Sequence, residues 1–476
     1  MLSGSLLIYF QTIGLFPQMM DGGRHGSISD PKELKRADEG TTTMHIIIHR
    51  GTHEIGGNCV EIGTDKSRII LDVGMPLFRA DGEPHDSADL KKKTKKELLD
   101  AGIIPKVPGL FVDGTRPDAI LLSHAHEDHT GLLRHCNEEI PIYASRGTSK
   151  MMKAGERFAL QPTLPRNRHQ EFESNIPIEI GDFKVTAYSV NHSIYGAQAF
   201  LLEAEGKTVL YSGDLRMHGR KPEMHKSLIE AVSRRNIDVL LMEGTHIGHP
   251  GHTGRNEYEL EDEIRRLIQK APGLVLASFS PQHVDRLECF LGATKDAGRI
   301  FVADAYTAFV MHLIASETDI PRPESSEWVK VFFPKYFEES YQRKNLEGFH
   351  ERISPARIRM EEIRSNPSQY VMLFRPSMME SDFKGNLPER SKCLYSRWTG
   401  YLEQPEWRVL TSVIEGGGGD LIEVHTSGHI YADDIVKLVG QIKPKTVVPI
   451  HTFEPERFTA FSPNVKLLKD GEIHRI

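Results

Sequence analysis

The stretch Ala119–His129, AILLSHAHEDH, decides which fold the rest of the sequence predicts. Its first four residues are apolar, and a short apolar run of this kind is typical of a buried strand. Three imidazoles and a carboxylate follow directly, at His124, His126, Asp128 and His129. Imidazole nitrogens and carboxylate oxygens are the ligands that divalent metals such as zinc prefer.

The spacing within this stretch suits two ions. His124 and His126 share one face of an extended segment, because successive side chains of a strand point to opposite sides. Asp128 and His129 lie just beyond them and can bind a second ion. The sequence therefore predicts a metal site at the C-terminal end of a strand.

The hydrophobic pattern divides the chain into two kinds of region. Short β-branched runs dominate up to about residue 245, and strands then alternate with helical patterns before a short β-α-β stretch. This order predicts an α/β protein in which one module is inserted into another domain. We expect a disordered extension over 1–43, a first domain over 44–248, an inserted domain over 249–400, and the end of the first domain over 401–476.

Composition excludes several classes of protein. No apolar run approaches the roughly 18 residues of a membrane-spanning helix, so we expect no membrane association. The four cysteines form no CxxC pair, which argues against a disulfide scaffold and favours a cytoplasmic location. A net charge of −7 argues against a strongly basic nucleic-acid-binding domain. It allows a nucleic-acid enzyme, because bound metal ions supply local positive charge.

The HxHxDH pattern at 124–129 resembles the signature of the metallo-β-lactamase superfamily. The resemblance implies an αββα sandwich and further ligands, each after a strand: His192 in SVNHSIYG, Asp214 in YSGDLR and His451 in VVPIHTF. It implies that Asp72, in RIILDVG, orients a histidine ligand. One ion would be held by His124, His126, His192 and Asp214, and the other by Asp128, His129, Asp214 and His451.

Two ions in such a site define a type of chemistry and leave the substrate open. Each ion lowers the pKa of a bound water and can neutralise charge on a phosphoryl oxygen, which suits attack on a phosphodiester. The implied cofactor is a pair of Zn²⁺ ions, with Mn²⁺ or Mg²⁺ as alternatives. The same fold also hosts thioester, lactone and β-lactam hydrolysis.

Later segments resemble the β-CASP branch of the superfamily, and within it the ribonuclease J family. Glu243 in LLMEGTH stands where that branch has its acidic motif A. The run HTSGH at 425–429 resembles the family's HxSGH, with His429 as motif B, and His451 then stands at motif C. The resemblance covers roughly residues 46–460. It implies an inserted β-CASP α/β domain that closes over the metal site.

The same resemblance implies roles in catalysis and in substrate binding. Asp128 would position the attacking water, His429 would assist at the phosphate or leaving group, and Glu243 would orient its neighbours. The expected substrate contacts are His425, Ser427, Ser278, Arg286, Arg375 and Ser377. For Ser278 and Arg286 the alternative is an ordinary helix cap and a surface helix. Arg375 and Ser377 stand in FRPSMME, where the family has a glycine-rich phosphate pocket, so a 5′-end preference stays open.

The leading hypothesis is a metal-dependent ribonuclease that acts on single-stranded RNA. The alternatives are a single-stranded DNA nuclease, a small-molecule hydrolase such as a lactonase, and a scaffold that binds RNA without cutting it. Exonuclease and endonuclease modes both stay open. We expect that a homodimer, if one forms, lacks a separate C-terminal assembly domain, because the chain ends soon after His451.

Overall fold

The computed structural model describes residues 43–79, 81–248 and 254–476. The extension predicted to be disordered lies outside the described residues, apart from Thr43. Within these ranges the strands form three sheets, and helices cover the faces of the sheets. The predicted α/β fold class, a sandwich with an inserted α/β domain, is confirmed.

The first sheet is built from the beginning of the described chain and from its end. Its strands are β1 His45–Arg50, β2 Cys59–Gly63, β3 Arg68–Leu71, β4 Ala119–Leu122, β5 Ile142–Ser145, β6 His169–Phe172 and β20 Ile473–Arg475. They lie in the order β20-β1-β2-β3-β4-β5-β6. Strands β1 to β3 pair antiparallel, whereas β3 to β6 run parallel.

The second sheet lies against the first. Its strands are β7 Ile178–Ile180, β8 Phe183–Ser189, β9 Gln198–Ala204, β10 Lys207–Tyr211, β11 Val239–Glu243 and β19 Thr446–Ile450. They lie in the order β19-β11-β10-β9-β8-β7. One apolar cluster joins the two sheets, in which Leu71 and Leu121 of the first share a core with Phe200, Leu241 and Val448 of the second. All five side chains are fully buried.

Helices cover the outer face of each of these sheets. They are α1 Ser87–Leu90, α2 Lys95–Asp100, α3 Glu127–Thr130, α4 Arg146–Ala159, α5 Pro222–Val232 and α14 Ala432–Ile442. Leu228 of α5 and Leu438 of α14 share a core with Leu240 of the second sheet. The result is a four-layer sandwich, because each sheet buries one face against the other sheet and one against helices. In the described part of the chain, no helix combines the length and the apolar character needed to cross a membrane.

The third sheet belongs to a layer inserted between β11 and β19. Its strands, all paired parallel, are β12 Val275–Ser278, β13 Ile300–Asp304, β14 Val329–Phe332, β15 Arg357–Ile358, β16 Tyr370–Leu373, β17 Lys392–Tyr395 and β18 Asp420–Glu423. Its helices are α6 Glu257–Lys270, α7 Val284–Asp296, α8 Ala305–Ile314, α9 Lys335–Glu338, α10 Glu347–Ile353, α11 Met360–Ser365, α12 Met378–Ser381 and α13 Pro405–Gly416. Because β18 pairs with β17, this sheet extends past residue 400, where the sequence placed the end of the inserted domain.

The strands of the sandwich bring the predicted ligands to one edge. Asp72 follows β3, His124 follows β4, His192 follows β8, Asp214 follows β10 and His451 follows β19. Strands β8, β10, β11 and β19 share one direction, and β3 and β4 are parallel to each other. Asp72 and His451 adopt left-handed φ angles of 60° and 52°, which turn the chain sharply as it leaves each strand.

Glu61 in β2 makes the folding stability of the protein depend on pH in the acid range. Burial raises the pKa of its carboxyl, but hydrogen bonds from His45, His49 and Arg68 lower it to well below its ordinary value of 4.5. The stability that such a group contributes is present above the unfolded-state pKa and is lost as the pH falls. We therefore expect Glu61→Gln to be less stable than the parent protein at neutral pH. The difference should narrow by about 1.4 kcal/mol per pH unit below about pH 4.

Urea unfolding of both proteins, in steps from neutral pH to about pH 3, measures this difference. Loss of any bound metal in acid affects both proteins equally, so the difference isolates Glu61. The exposed Glu223→Gln is the matched control and should track the parent at every pH. If the difference in unfolding free energy between Glu61→Gln and the parent protein stays constant with pH, the lowered pKa assigned to Glu61 is wrong.

Candidate metal centre

Three imidazoles converge at the first predicted metal position. The Nε2 atoms of His124 and His192 lie 3.0 and 3.1 Å from Nδ1 of His126. Burial lowers the pKa of His124 and His192 well below the ordinary value, and lowers that of His126 to about 4. All three rings are therefore neutral at pH 7, which is the form that binds a metal.

The second predicted position joins α3 to the turn after β19. His451 Nε2 lies 3.3 Å from Asp128 Oδ2, and His129 Nε2 lies 3.0 Å from Asp214 Oδ2. The ligand atoms of these four residues lie within 4.8 Å of one another. Two nitrogens and two carboxylates form a donor set that suits zinc.

Asp214 lies between the two positions. Its Oδ2 is 3.8 Å from His124 Nε2 and 3.9 Å from His192 Nε2, and it is 3.8 Å from His451 Nε2. Its Oδ1 is buried and has no hydrogen-bond partner within the described residues. Burial raises the pKa of this carboxyl, but His129 and His451 lower it well below the ordinary value. A buried, ionised carboxylate with an unsatisfied oxygen between two imidazole groups fits a ligand shared by two ions.

Hydrogen bonds from the surrounding chain orient the imidazoles. Asp72 Oδ2 lies 2.8 Å from His129 Nδ1, and the same carboxylate accepts bonds from the amide and hydroxyl of Ser123 and from the hydroxyl of Tyr211, each at 2.7 Å. The sequence predicts that Asp72 orients a histidine, and the structure places it against His129. A carboxylate behind an imidazole fixes the ring and directs its other nitrogen at the metal.

Two more imidazoles are held in the same way by groups that the sequence analysis does not identify. His192 Nδ1 lies 2.6 Å from the carbonyl oxygen of Gly428, and His451 Nδ1 lies 2.9 Å from Thr245 Oγ1. Gly428 acts through its backbone carbonyl, which any residue carries, so the residue type does not reveal this role. The one signal for Thr245 is its position two residues after Glu243, beyond the end of β11.

Glu243 and His429 form a pair beside the metal positions. His429 Nδ1 lies 3.0 Å from Glu243 Oε2, and the Thr245 hydroxyl donates to the same oxygen at 2.8 Å. The backbone amide of Leu215 donates to Glu243 Oε1 at 2.9 Å. Burial lowers the pKa of His429, but the charge and hydrogen bond of Glu243, together with the charges of Asp214 and Asp128, outweigh it and the net shift is upward. His429 Nδ1 is 3.8 Å from Asp214 Oδ2, so the pair adjoins the candidate centre.

Two segments of the chain match known protein domains. Residues 103–260 match the beta-lactamase superfamily domain, and residues 420–466 match the Zn-dependent metallo-hydrolase RNA specificity domain. The chain carries a beta-lactamase superfamily domain, and the two matched domains together resemble the ribonuclease J branch of that superfamily. The second match covers both His429 and His451.

Similar proteins include two curated ribonucleases J. The one from Mycolicibacterium smegmatis is 24% identical over 84% of this chain and 67% of its own length. The one from Corynebacterium glutamicum is 23% identical over 84% of this chain and 52% of its own. A probable RNase from Methanocaldococcus jannaschii is 26% identical over 53% of this chain and 57% of its own length. The chain thus spans about half to two thirds of the relatives that it matches.

A solved structure shares the fold. A protein of unknown function from Enterococcus faecalis V583 superposes with a TM-score of 0.74 at 22% sequence identity. The superposition covers 91% of this chain and 100% of that protein. At this level of identity the likeness shows the fold alone.

The HTSGH segment reaches the centre through its backbone as well as its side chains. Ser427 Oγ accepts a bond from the backbone amide of His429 at 3.0 Å and lies 2.6 Å from His246 Nε2. The hydroxyl therefore supports the turn that carries His429. His425 is half-buried, and burial lowers the pKa of its imidazole to about 3. Substrate contact by His425 and Ser427 stays a prediction.

The prediction that Arg286 contacts substrate phosphates does not fit the structure. Its guanidinium is fully buried and donates to both carboxylate oxygens of Glu257, to Ser396 Oγ and to the carbonyl of Thr426. A guanidinium enclosed in this way stabilises the fold. Ser278 ends β12 with its side chain fully buried, and its hydroxyl has no partner in the part of the chain that the structure describes. It is therefore closed off from solvent.

Arg375 and Ser377 lie in the inserted layer. Arg375 is buried, with Nη2 2.9 Å from Asp304 Oδ2 and its guanidinium 5.3 Å from the ring centre of Tyr306. Ser377 is exposed, just before α12. Among the described residues, no hydrogen bond or ion pair joins either of them to the candidate metal ligands. Their contact with substrate stays a prediction.

Replacing Asp72 tests whether its hydrogen bond with His129 contributes to metal binding at the second position. We expect Asp72→Asn to weaken binding of one of two zinc ions by about 10–100-fold, because an amide replaces the carboxylate that orients His129. Competition with a chelator of known zinc affinity, with zinc counted per chain, measures the loss. The exposed Asp65→Asn is the control and should retain both ions. Zinc affinity equal to that of the parent protein in Asp72→Asn would contradict the assignment.

Proposed function

We propose that this chain is a metal-dependent ribonuclease of the ribonuclease J type, which hydrolyses phosphodiester bonds of single-stranded RNA at a pair of zinc ions. The observation that carries the proposal is the convergence of six ligand side chains on a seventh, the Asp214 carboxylate, with Glu243 and His429 beside it. The residues that would hold the ions are His124, His126, His192 and Asp214 at one position, and Asp128, His129, Asp214 and His451 at the other.

The positions of Asp128, Asp72 and Thr245 around the ligands suggest a role for each of them. Two zinc ions, when bound, lower the pKa of a coordinated water and neutralise charge on a phosphoryl oxygen. The Asp128 carboxylate lies at the second position, where it can accept a hydrogen bond from the attacking water. Asp72 and Thr245 hold the imidazoles that define where that water lies. The ligand geometry is thus set before the substrate arrives.

His429 supplies the proton in this proposal. Glu243 binds its Nδ1 and raises the pKa of the imidazole above its ordinary value. This favours the protonated ring, in which Nε2 is the nitrogen left to donate to a phosphoryl oxygen or to the leaving oxygen. Glu243 acts through His429, as a positioning residue.

Three further observations support RNA as the substrate and the cytoplasm as the compartment. The match to an RNA specificity domain covers residues 420–466, which include His429 and His451. The inserted layer is far larger than a lactone or thioester needs. The four cysteines are free and buried, which suits a reducing compartment.

The decisive assay uses zinc-loaded protein and matched RNA and DNA oligomers that bear 5′-monophosphate or 5′-triphosphate ends. We expect cleavage of the RNA oligomers and loss of that cleavage in His126→Ala, because the first position then lacks one of its nitrogens. The control is His135→Ala, which removes a half-buried histidine outside the ligand groups. Equal cleavage of DNA would make the protein a general single-strand nuclease. Full zinc occupancy without cleavage of any strand would overturn the proposal.

The role of His429 is tested separately. We expect His429→Ala to lower kcat for RNA by about 10²–10⁴-fold, the usual contribution of a general acid, while zinc per chain stays unchanged. Single-turnover cleavage and metal analysis of the same sample measure the two quantities. Loss of zinc in this variant would show that His429 is a ligand and not the proton donor.

A further inference from the structure

Arg216 connects three parts of the molecule through one buried side chain. It follows β10, and its guanidinium is fully enclosed. Nε donates to Asn191 Oδ1 at 2.6 Å, and Nη2 donates to Asp285 Oδ2 at 2.7 Å. Nη1 donates to Glu257 Oε1 at 2.6 Å and to the carbonyl of Ser427 at 3.0 Å. The sandwich, helices α6 and α7 of the inserted layer, and the HTSGH segment therefore meet on this residue.

Two of these contacts flank the groups that hold His192. Asn191 precedes His192, and its carbonyl also accepts a bond from the backbone amide of Arg216 at 2.7 Å. Ser427 precedes Gly428, whose carbonyl lies 2.6 Å from His192 Nδ1. Arg216 thus holds the backbone that carries the imidazole and also the backbone that fixes its rotation.

The charges around Arg216 balance within the protein. Arg216 and Arg286 face Glu257 and Asp285, and all four side chains are buried. Hydrogen bonds between ionised partners are short and directional, so they fix geometry. Loss of one partner would leave a charge uncompensated in the interior. The network is therefore a rigid support and does not contact substrate.

We propose that Arg216 is a positioning residue that fixes His192 at the first metal position. Through the same contacts it couples retention of the ion at that position to the packing of α6 and α7 against the sandwich. The inference rests on the proposed metal pair and is independent of the substrate. Because such coupling is reciprocal, an ion at the first position also holds α6 and α7 in place.

The test compares Arg216 with an arginine of a separate ion pair. Arg216→Lys keeps the charge, but a single ammonium cannot reach all of the acceptors that the guanidinium binds. Zinc-loaded protein is mixed with a chromophoric chelator, and zinc release is followed over time. We expect one of the two ions to leave about 10–100-fold faster than from the parent protein, the usual effect of losing a support behind a ligand. The other ion should leave at the parent rate.

Arg68→Lys is the matched control, because Arg68 pairs with the buried carboxylate of Glu61 in the first sheet and has no bond to Asn191, Ser427, α6 or α7. It should lower the melting temperature as Arg216→Lys does and leave zinc release unchanged. Asn191→Ala, which alters no charge, should accelerate release of the same ion and keeps the test decisive if Arg216→Lys does not fold. Equal release rates in the two lysine variants, or parent rates in Asn191→Ala, would overturn the proposal. A parent protein that holds zinc but cuts no RNA would overturn the proposed function and leave this inference standing.

Discussion

One buried carboxylate, that of Asp214, sets the arrangement of the candidate centre. A charge in the interior is costly unless other groups compensate it. The compensating imidazoles follow β4 of the first sheet and β8 and β19 of the second, so they meet Asp214 only when the two sheets are packed in register. Closing the sandwich and assembling the centre are therefore the same event.

A second set of contacts keeps the imidazoles in their orientations. His129, His192 and His451 each turn one nitrogen towards the centre, and the other nitrogen lies against Asp72, the carbonyl of Gly428 or the hydroxyl of Thr245. Each ring nitrogen thus has a defined partner, which selects one tautomer. His429 faces Glu243 and its pKa rises, whereas burial lowers the pKa of His124 well below the ordinary value. A carboxylate behind a ring does not by itself make that ring a proton donor. Burial lowers the pKa of His129, a predicted ligand, but Asp214 and Asp72 raise it well above the ordinary value.

Metal ligands that lie in short motifs can be predicted from the sequence. Contacts between residues far apart in the chain cannot. HxHxDH lies within six residues, and each of the other ligands follows an apolar run, so the centre can be predicted from one sequence. Thr245 and Gly428 act through a rotamer and a carbonyl oxygen, which no residue pattern encodes. Arg286 shows the opposite error, because a buried arginine and an exposed one look alike in sequence. Its burial depends on Glu257, which lies 29 residues earlier.

The insertion between β11 and β19 has a consequence for how the protein is made. The contact between His451 and Asp128 joins residues that are 323 positions apart. A ribosome delivers residues in order, and folding of a large chain proceeds from the N-terminal end during synthesis. The ligands of the first position are therefore available long before His451 emerges. The carbonyl of Gly428 orients His192, however, so neither metal position is complete until the last part of the chain has emerged.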